Sequence, residues 1–431
     1  MIGKLFNRVL FTAVFATIFI GCHLSVNLPA DEPLPTEETT TPDVIESNQD
    51  PLPPADEIPP EDPLPPPEEV PPTVYYTVSF NSNGGSEVES QTVQEGANAE
   101  VPEEPEREGF EFLGWFAGAD NSASFDFDTL IDSDLELVAR WLNGGVKTEG
   151  ATIEEPVTGS PLFIEGRNIT IGNIVMCDHE VTQAEWAEYM TWYGIEKTGD
   201  KKPVSKYGLG DNFPAYWINW YECVIYCNLR SVAEGLRPAY YIVIDGENVY
   251  DVARWAEIEG SNVAVNAEGK YYYGTEKDSS VLGNKDSGIH YDTSANGYRL
   301  PTEAEWEYVA RGGESGLYAE QTAYSGSNNI NDVGWSKSNS GGKAHEIKQK
   351  APNALGIYDM SGNIAEICYD WSGNIDASTG PLGAESGNAC VRRGGCWDGA
   401  NSTCTIEDRG TPRARYFRSA QGGLRVVCTV N

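Results

Sequence analysis

The chain has 431 residues, enough for two or three domains with at least one large hydrophobic core. Acidic residues outnumber basic residues by 66 to 29, which gives a formal net charge of −37 at pH 7. This charge argues against nucleic acid or an anionic membrane surface as a direct electrostatic partner.

The N-terminus has the pattern of an export signal over residues 1–21. Lys4 and Arg8 precede an apolar run from Val9 to Ile20, which is shorter than a comfortable membrane span. A small residue stands directly before Cys22, an order that resembles a bacterial lipobox with Cys22 as the acylated first residue. An ordinary signal peptide with an incidental cysteine is the alternative. We expect an exported chain, lipid-anchored to the bacterial cell envelope at the cell surface or the periplasmic face.

Residues 22–73 are predicted to be a disordered linker. From residue 29 onward they are rich in proline and acidic residues and contain neither Lys nor Arg. Such a segment has too little apolar surface to offset the entropy of ordering, and its like charges repel one another. We therefore expect an extended spacer that holds the folded part away from the membrane.

Residues 74–142 are predicted to form a small β-rich domain. The run from Val74 to Phe80 is β-branched and aromatic, and Asn83-Gly84-Gly85 is typical of a tight turn. The pattern VSFNSNGG…P…GFEFLGWF…ARW resembles the Listeria–Bacteroides repeat, a ubiquitin-like β module of bacterial surface proteins. The resemblance implies a role in spacing or adhesion rather than in catalysis. Residues 143–160 contain Gly and Thr and are predicted to be a second linker.

Helix starts are marked by capping patterns in the remainder of the chain. Thr302 follows Pro301 and stands three residues before Glu305, which predicts a capping box and a helix that ends near Arg311. The same Thr-x-x-Glu pattern recurs at Thr182. Another helix is predicted to begin after Asn219, where apolar residues recur at i, i+3, i+4 and i+7.

The sequence GYRLPTEAEWEY, at residues 297–308, resembles the signature of the sulfatase-modifying-factor family. This family contains the formylglycine-generating enzymes and many non-catalytic relatives, and the resemblance extends from Pro161 to the C-terminus. It implies that residues 161–431 adopt an α+β, loop-rich variant of the C-type-lectin-like fold. Residues 236–298 form an insertion longer than the family minimum, and the sequence assigns it no role.

The C-terminal tract with Gly394-Gly395 resembles the family's closing motifs RGGSW and GFRV. The resemblance implies a copper(I) site of two cysteines in catalytic members, because soft thiolates suit that ion. Alignment on the paired glycines places the second ligand on Cys404 and the first on Gly399, and it places the family's active-site serine on Cys396. A single thiolate would bind copper too weakly, so we expect no copper-dependent oxidation. The alternative for Cys396 and Cys404 is a disulfide, or burial as small residues.

The segment Asp359-Met-Ser-Gly-Asn-Ile-Ala-Glu366 resembles the family loop GLYDMSGNVWEW, which binds structural calcium. Carried over by position, the ligands are the carboxylates of Asp359 and Glu366 and the carbonyls of Gly362 and Ile364. Calcium prefers such oxygen ligands. A turn in which Asp359 caps backbone amides is the alternative.

The other cysteines and the histidines give weaker signals. Eight cysteines follow residue 170, an even number that favours disulfides in an exported chain, with Cys227 and Cys428 as one candidate pair. Cys223 and Cys227 lie on one helical face, and we expect them to pack in the core or to pair with other elements. The alternative is that they supply two of the ligands of a metal site. The four histidines lack the spacing of a metal or catalytic set.

Two functions follow from these patterns. The first is a recognition module for an unknown protein or glycan. Its candidate ligand-binding residues mix aromatic and charged side chains: Trp397, Asp398, Asn401 and Arg413. The resemblance supports this function, because some relatives are surface lipoproteins with variable C-terminal loops. The alternative is a formylglycine-generating oxidase that converts a sulfatase cysteine to formylglycine, which Cys404 favours and Gly399 opposes.

Overall fold

The computed structural model describes residues 72–118, 124–193, 201–278, 281–283 and 288–430. The predicted export signal, Cys22 and nearly all of the acidic tract lie outside these ranges. Within them, no helix combines the length and the apolar character needed to cross a bilayer.

The N-terminal module is a four-stranded sheet in the order β2-β1-β4-β3. Its strands are β1 (Tyr75–Asn81), β2 (Gln91–Gln94), β3 (Phe110–Ala117) and β4 (Leu135–Asn143). Strands β1 and β4 are parallel, whereas β2 and β3 pair antiparallel to their neighbours. The predicted turn follows β1, with Asn83 and Gly84 at φ of 45° and 92°. Alternate residues point into an aromatic core that includes Phe80, Trp115 and Trp141.

Residues 143–160, predicted as a linker, contain two strands that complete sheets of the larger domain. Strand β5 (Gly145–Thr148) pairs with β8 (Ile174–Cys177), and β6 (Ala151–Ile153) pairs with β7 (Ile169–Ile171). Only Gly144, at φ of 63°, separates β4 from β5. The linker prediction is therefore wrong for this segment, because its backbone groups are bonded into ladders.

The helices begin where the capping patterns predict. In α1 (Gln183–Tyr189) and α4 (Glu303–Ala310), a Thr side chain accepts from the N3 amide while the Glu side chain returns to the Thr amide. Helix α2 (Trp220–Ala233) has the equivalent box between Asn219 and Glu222. The shorter helices are α3 (Val252–Ala256), α5 (Gly313–Leu317), α6 (Ile330–Val333) and a 3-10 turn at Asn401–Thr403.

Several small sheets surround these helices. In the insertion, β9 (Tyr240–Ile244) lies between β10 (Glu247–Val249) and β13 (His290–Tyr291), and β11 (Val263–Val265) pairs with β12 (Tyr271–Tyr273). Downstream, β14 (Gly334–Trp335) pairs with β15 (Ser361–Gly362). Strand β16 (Ala365–Trp371) lies between β17 (Cys390–Arg393) and β18 (Gly422–Gly423), and β19 (Val427–Thr429) pairs with β8. Short strands joined by long loops give the predicted α+β, loop-rich architecture.

The eight cysteines in the described residues are all free thiols, so the disulfide prediction is wrong for this structure. Cys223, Cys227 and Cys428 lie in one apolar core, where they pack as small side chains. Burial raises the pKa of each of these thiols. Cysteine count alone carries no information on whether two sulfurs face each other.

Candidate functional site

The C-terminal tract turns sharply where β17 ends. Gly394 and Gly395 have φ of 83° and 69°, a region that suits glycine. A Cβ on Gly395 would lie 2.3 Å from the Thr403 carbonyl oxygen and 2.8 Å from the Cys404 sulfur. The paired glycines therefore let the chain fold tightly against the loop that carries Cys404.

The two positions aligned with the copper ligands do not assemble a copper(I) site. Cys404 is buried, and burial raises the pKa of its thiol to about 12. Gly399 has no donor side chain, and a Cβ there would lie 2.7 Å from the Thr403 hydroxyl. The residues present thus offer one neutral thiol where copper(I) requires two thiolates.

Cys396 lies at the position of the family's active-site serine and is half-buried. Burial raises the pKa of its thiol, although the backbone amides of Asp398 and Gly399 oppose this rise by donating to the sulfur. The Cys404 sulfur is 3.9 Å from the Cys396 carbonyl oxygen. The two cysteines are therefore neighbours through the backbone of Cys396, not through a sulfur–sulfur bond.

An open cavity of about 510 Å³ lies over this turn and includes Cys396 in its lining. Asp398 and Arg413, two of the predicted ligand-binding residues, line it and are exposed. The wall also includes Arg392, Asp408 and Phe417. A concave site of this size with a few convergent polar groups is the usual form of a small-ligand site.

Trp397, predicted to bind the ligand, is only 4% exposed and is not among the residues that line the cavity. The indole nitrogen donates to the Ala420 carbonyl oxygen over 2.9 Å, and the ring stacks on Tyr207 with centroids 5.5 Å apart. Asn401 does not line the cavity; its side-chain oxygen accepts from the hydroxyls of Ser336 and Ser338. Both residues hold the loop in place.

The predicted calcium loop contains one buried carboxylate oxygen without a partner. Asp359 is buried at φ of 59°; its Oδ2 accepts from the Lys348 amide over 2.7 Å, while Oδ1 has no hydrogen-bond partner. Burial raises the pKa of Asp359 to about 6. An orphaned, buried oxygen fits a cation ligand.

The second carboxylate of this loop fits calcium less well. Glu366 accepts from Arg425 over 2.6 Å and from the Trp306 indole over 2.7 Å, so its charge already faces a cation. The residues fit calcium at Asp359 and only in part at Glu366.

Glu180 supports the same loop and was not predicted as a site residue from the sequence. Its oxygens accept from the Asn363 side chain over 2.6 Å and from the Ile364 amide over 3.0 Å. Burial raises the pKa of Glu180 well above its usual range, and Asp359 and Glu366 add to the effect. Its position two residues before the Thr182 capping box was the only available signal.

Cys177, Asp178 and His179 bring three potential metal-ligand atoms within 4.8 Å of one another. His179 Nδ1 lies 2.5 Å from the Asp178 carboxylate, and Nε2 lies 3.4 Å from the Glu185 carboxylate. Burial alone would lower the pKa of His179, but Cys177 and the two carboxylates raise it well above the ordinary value. A protonated ring bonded to two carboxylates accounts for this cluster without a metal.

Comparison with known proteins places this geometry in a family. The family model described as the Sulfatase-modifying factor enzyme 1-like domain matches residues 141–430. The chain belongs to this family. The Listeria-Bacteroides repeat domain matches residues 76–140, ahead of the sulfatase-modifying-factor domain. Both resemblances stated from the sequence are thereby confirmed.

Relatives of the sulfatase-modifying-factor domain carry different names. The chain is 29% identical over 329 residues to "Chaperone protein LppX" of Paenibacillus barcinonensis, covering 71% of this chain and 93% of the relative. The solved structure of Treponema denticola variable protein 1 shares 28% identity at a TM-score of 0.50, covering 68% of this chain and 96% of that one. A formylglycine-generating enzyme of Thermomonospora curvata is 34% identical over 137 residues, which are 27% of this chain and 43% of the enzyme.

Proposed function

We propose that this chain is an exported, envelope-anchored protein whose sulfatase-modifying-factor domain binds a partner and does not oxidise one. One observation carries the proposal. Where the family's copper ligands align, the chain has Gly399 and a buried thiol, Cys404, whose pKa is about 12. An open cavity with charged walls lies at the same place.

The comparisons with known proteins support the proposal. The long relative is named a chaperone, and a chaperone binds other proteins. The matched segment covers less than half of the formylglycine-generating enzyme. A repeat whose family role is spacing or adhesion precedes the domain, an arrangement that suits display.

The competing function is tested by an aerobic assay with copper and a peptide that carries the sulfatase motif. We expect mass spectrometry to show no formylglycine with this chain, and conversion by an active formylglycine-generating enzyme as the positive control. A Gly399→Cys variant tests whether one missing ligand explains the inactivity. Conversion by the unchanged chain would overturn the proposal and assign the oxidase function.

Partner binding is tested on the full chain with a double variant of the exposed cavity residues, Asp398→Ala with Arg413→Ala. Glu247→Ala with Arg254→Ala is the matched control, since both residues are exposed, lie outside the cavity and carry the same pair of charges. The proposal requires a protein or glycan from the envelope that the unchanged chain and the control retain and the cavity variant loses. Equal retention by all three would refute the cavity as the recognition site.

For the metal, we propose that calcium binds at Asp359, with the carbonyls of Gly362 and Ile364 and an oxygen of Glu366 as the other ligands. The ion would neutralise a buried carboxylate whose Oδ1 has no other partner. It would stabilise the loop that leads into β16, and thereby one wall of the cavity, to which Ala365 contributes. Its role is structural.

A further inference from the structure

Most buried arginines of the described chain face a carboxylate. Burying a guanidinium removes its hydration, and an ion pair is the usual compensation. Such pairs have nitrogen–oxygen distances of 2.6–2.9 Å: Arg299–Glu305, Arg393–Glu303, Arg418–Glu222 and Arg425–Glu366. Arg167 instead donates to three backbone carbonyls. A buried arginine without either arrangement calls for another explanation.

Arg392 is such an arginine, and it lines the cavity. The residue is only 5% exposed. Among the described residues, no carboxylate oxygen lies within 4.0 Å of its guanidinium. Nη2 donates to the Phe417 carbonyl oxygen over 3.0 Å, and Nη1 is 3.5 Å from the Ser419 hydroxyl. Nε is buried without an acceptor. The guanidinium therefore has unused donors.

The chain makes room for this guanidinium. A Cβ on Gly422, in β18, would lie 2.3 Å from Nη1 of Arg392 and 3.0 Å from its guanidinium carbon. Glycine at this position leaves the space that the planar group occupies. Burial lowers the pKa of Arg392, and the neighbouring Cys390 only partly opposes the effect. The fold thus accommodates a cation that its own side chains leave without a counter-charge.

A second guanidinium lies at the same cavity. Arg413 is exposed, and its guanidinium carbon is 5.0 Å from the centroid of the Phe417 ring, while that of Arg392 is 5.6 Å from it. Both cations therefore border one aromatic ring. Asp398 and Asp408 also line the cavity, but among the described residues neither guanidinium has a carboxylate oxygen within 4.0 Å.

Arg415 shows that a buried arginine without a carboxylate partner does not by itself indicate a ligand site. It is also buried and unpaired, but its guanidinium lies between the rings of Trp220 and Trp371, 3.7 and 3.4 Å from their centroids. Two indole faces stabilise a cation at such distances. Arg392 has only the more distant Phe417 ring, so its charge lacks an equivalent compensation.

We propose that Arg392, together with Arg413, is the subsite for a carboxylate group of the ligand. This inference rests on the proposed function, because it takes the cavity to be the recognition site. A guanidinium presents planar donor edges that pair with a carboxylate, and Arg392 lines the cavity without a carboxylate of its own. Asp398 and Asp408 also line the cavity, and they would repel a phosphate dianion more strongly than a carboxylate monoanion.

The test compares benzoate with benzamide, a neutral molecule of nearly the same shape, by calorimetric titration of the full chain at constant ionic strength. We expect benzoate to bind and benzamide to bind at least about tenfold more weakly, the loss expected when a charged hydrogen-bond acceptor becomes neutral. This comparison needs no substitution and therefore no assumption about folding. Equal binding of the two molecules, or binding of neither, would overturn the proposal.

Substitutions then locate the subsite. Arg392→Met should weaken benzoate binding by about tenfold to a hundredfold, Arg413→Met by less, and Arg254→Met, at an exposed site outside the cavity, not at all. We expect Arg392→Met to melt no earlier than the unchanged chain, because it removes a buried charge without a counter-charge. Arg392→Lys should recover part of the binding. Unchanged benzoate binding in both methionine variants would place the anion elsewhere and refute the assignment.

The outcomes separate this inference from the proposed function. Formylglycine production with benzoate binding at Arg392 would refute the binding function and leave the carboxylate subsite standing. Partner binding that depends on Asp398 and Arg413, without benzoate binding, would support the binding function and refute the carboxylate subsite. The two sets of measurements share no readout.

Discussion

Truncation of Trp397 tests whether this residue packs or recognises. In Trp397→Ala the ring that stacks on Tyr207 is lost, and so is the 2.9 Å hydrogen bond to the Ala420 carbonyl. Removal of a buried tryptophan side chain costs about 3–5 kcal/mol, a large share of a typical stability of about 5–15 kcal/mol. Trp397→Phe keeps a ring in the space and loses mainly the hydrogen bond, so we expect it to cost about 1–2 kcal/mol.

The free energies of unfolding are measured by urea titration followed by far-ultraviolet circular dichroism. Asp398→Ala is the control, since this neighbour is exposed and its truncation should change stability by less than about 0.5 kcal/mol. If Trp397 packs, the loss of unfolding free energy should increase in the order Asp398→Ala, Trp397→Phe, Trp397→Ala. A Trp397→Ala variant of unchanged stability that had lost its partner would refute this reasoning and return the indole to the recognition surface.

Three further predictions concern charge. The pKa of His179 in the folded protein is well above its ordinary value of 6.5. Its ion pairs therefore stabilise the fold fully below pH 6.5, and this stabilisation is lost as the pH rises through the folded pKa. The melting temperature should consequently fall less steeply with rising pH in His179→Gln than in the unchanged chain. Asp359 has a pKa of about 6, so its carboxylate is ionised at pH 7.5 and becomes protonated below pH 6. Calcium should therefore raise the melting temperature at pH 7.5, progressively less below pH 6, and not at all in Asp359→Asn. No change in melting temperature with calcium at pH 7.5 would exclude the site. Arg393→Met leaves the buried carboxylates of Glu303 and Glu307 without this partner and should cost about 3–5 kcal/mol in urea unfolding, and an unchanged midpoint would contradict the pairing.

Local patterns were the reliable part of the sequence. The capping boxes at Thr182 and Thr302 were predictable because each depends on two side chains three residues apart. The first strand and the turn of the N-terminal repeat were predictable for a similar reason, since β-branched and aromatic content and turn chemistry lie within a few residues. Family resemblance supplied the fold of the larger domain, which no periodicity in its loops would indicate.

Features that depend on distant partners were not predictable. Residues 145–153 have the composition of a linker, but strands whose paired residues lie 16 to 32 positions later give them hydrogen-bond partners. Trp397 stands among polar residues in the sequence, yet its ring stacks on Tyr207, 190 residues earlier in the chain. Glu366 matches a calcium ligand locally, whereas its partner Arg425 lies 59 residues further along the chain. In each case the deciding contact is tertiary.

The join between the repeat and the larger domain has a mechanical consequence. Strand β1 begins at Tyr75 and its parallel neighbour β4 ends at Asn143, so the chain enters and leaves this sheet at opposite ends. A pull between the two ends of this module would then act along the strands, and the β1–β4 hydrogen bonds would have to rupture together rather than in sequence. Because only Gly144 precedes β5, that pull would pass directly into the sheet of the larger domain.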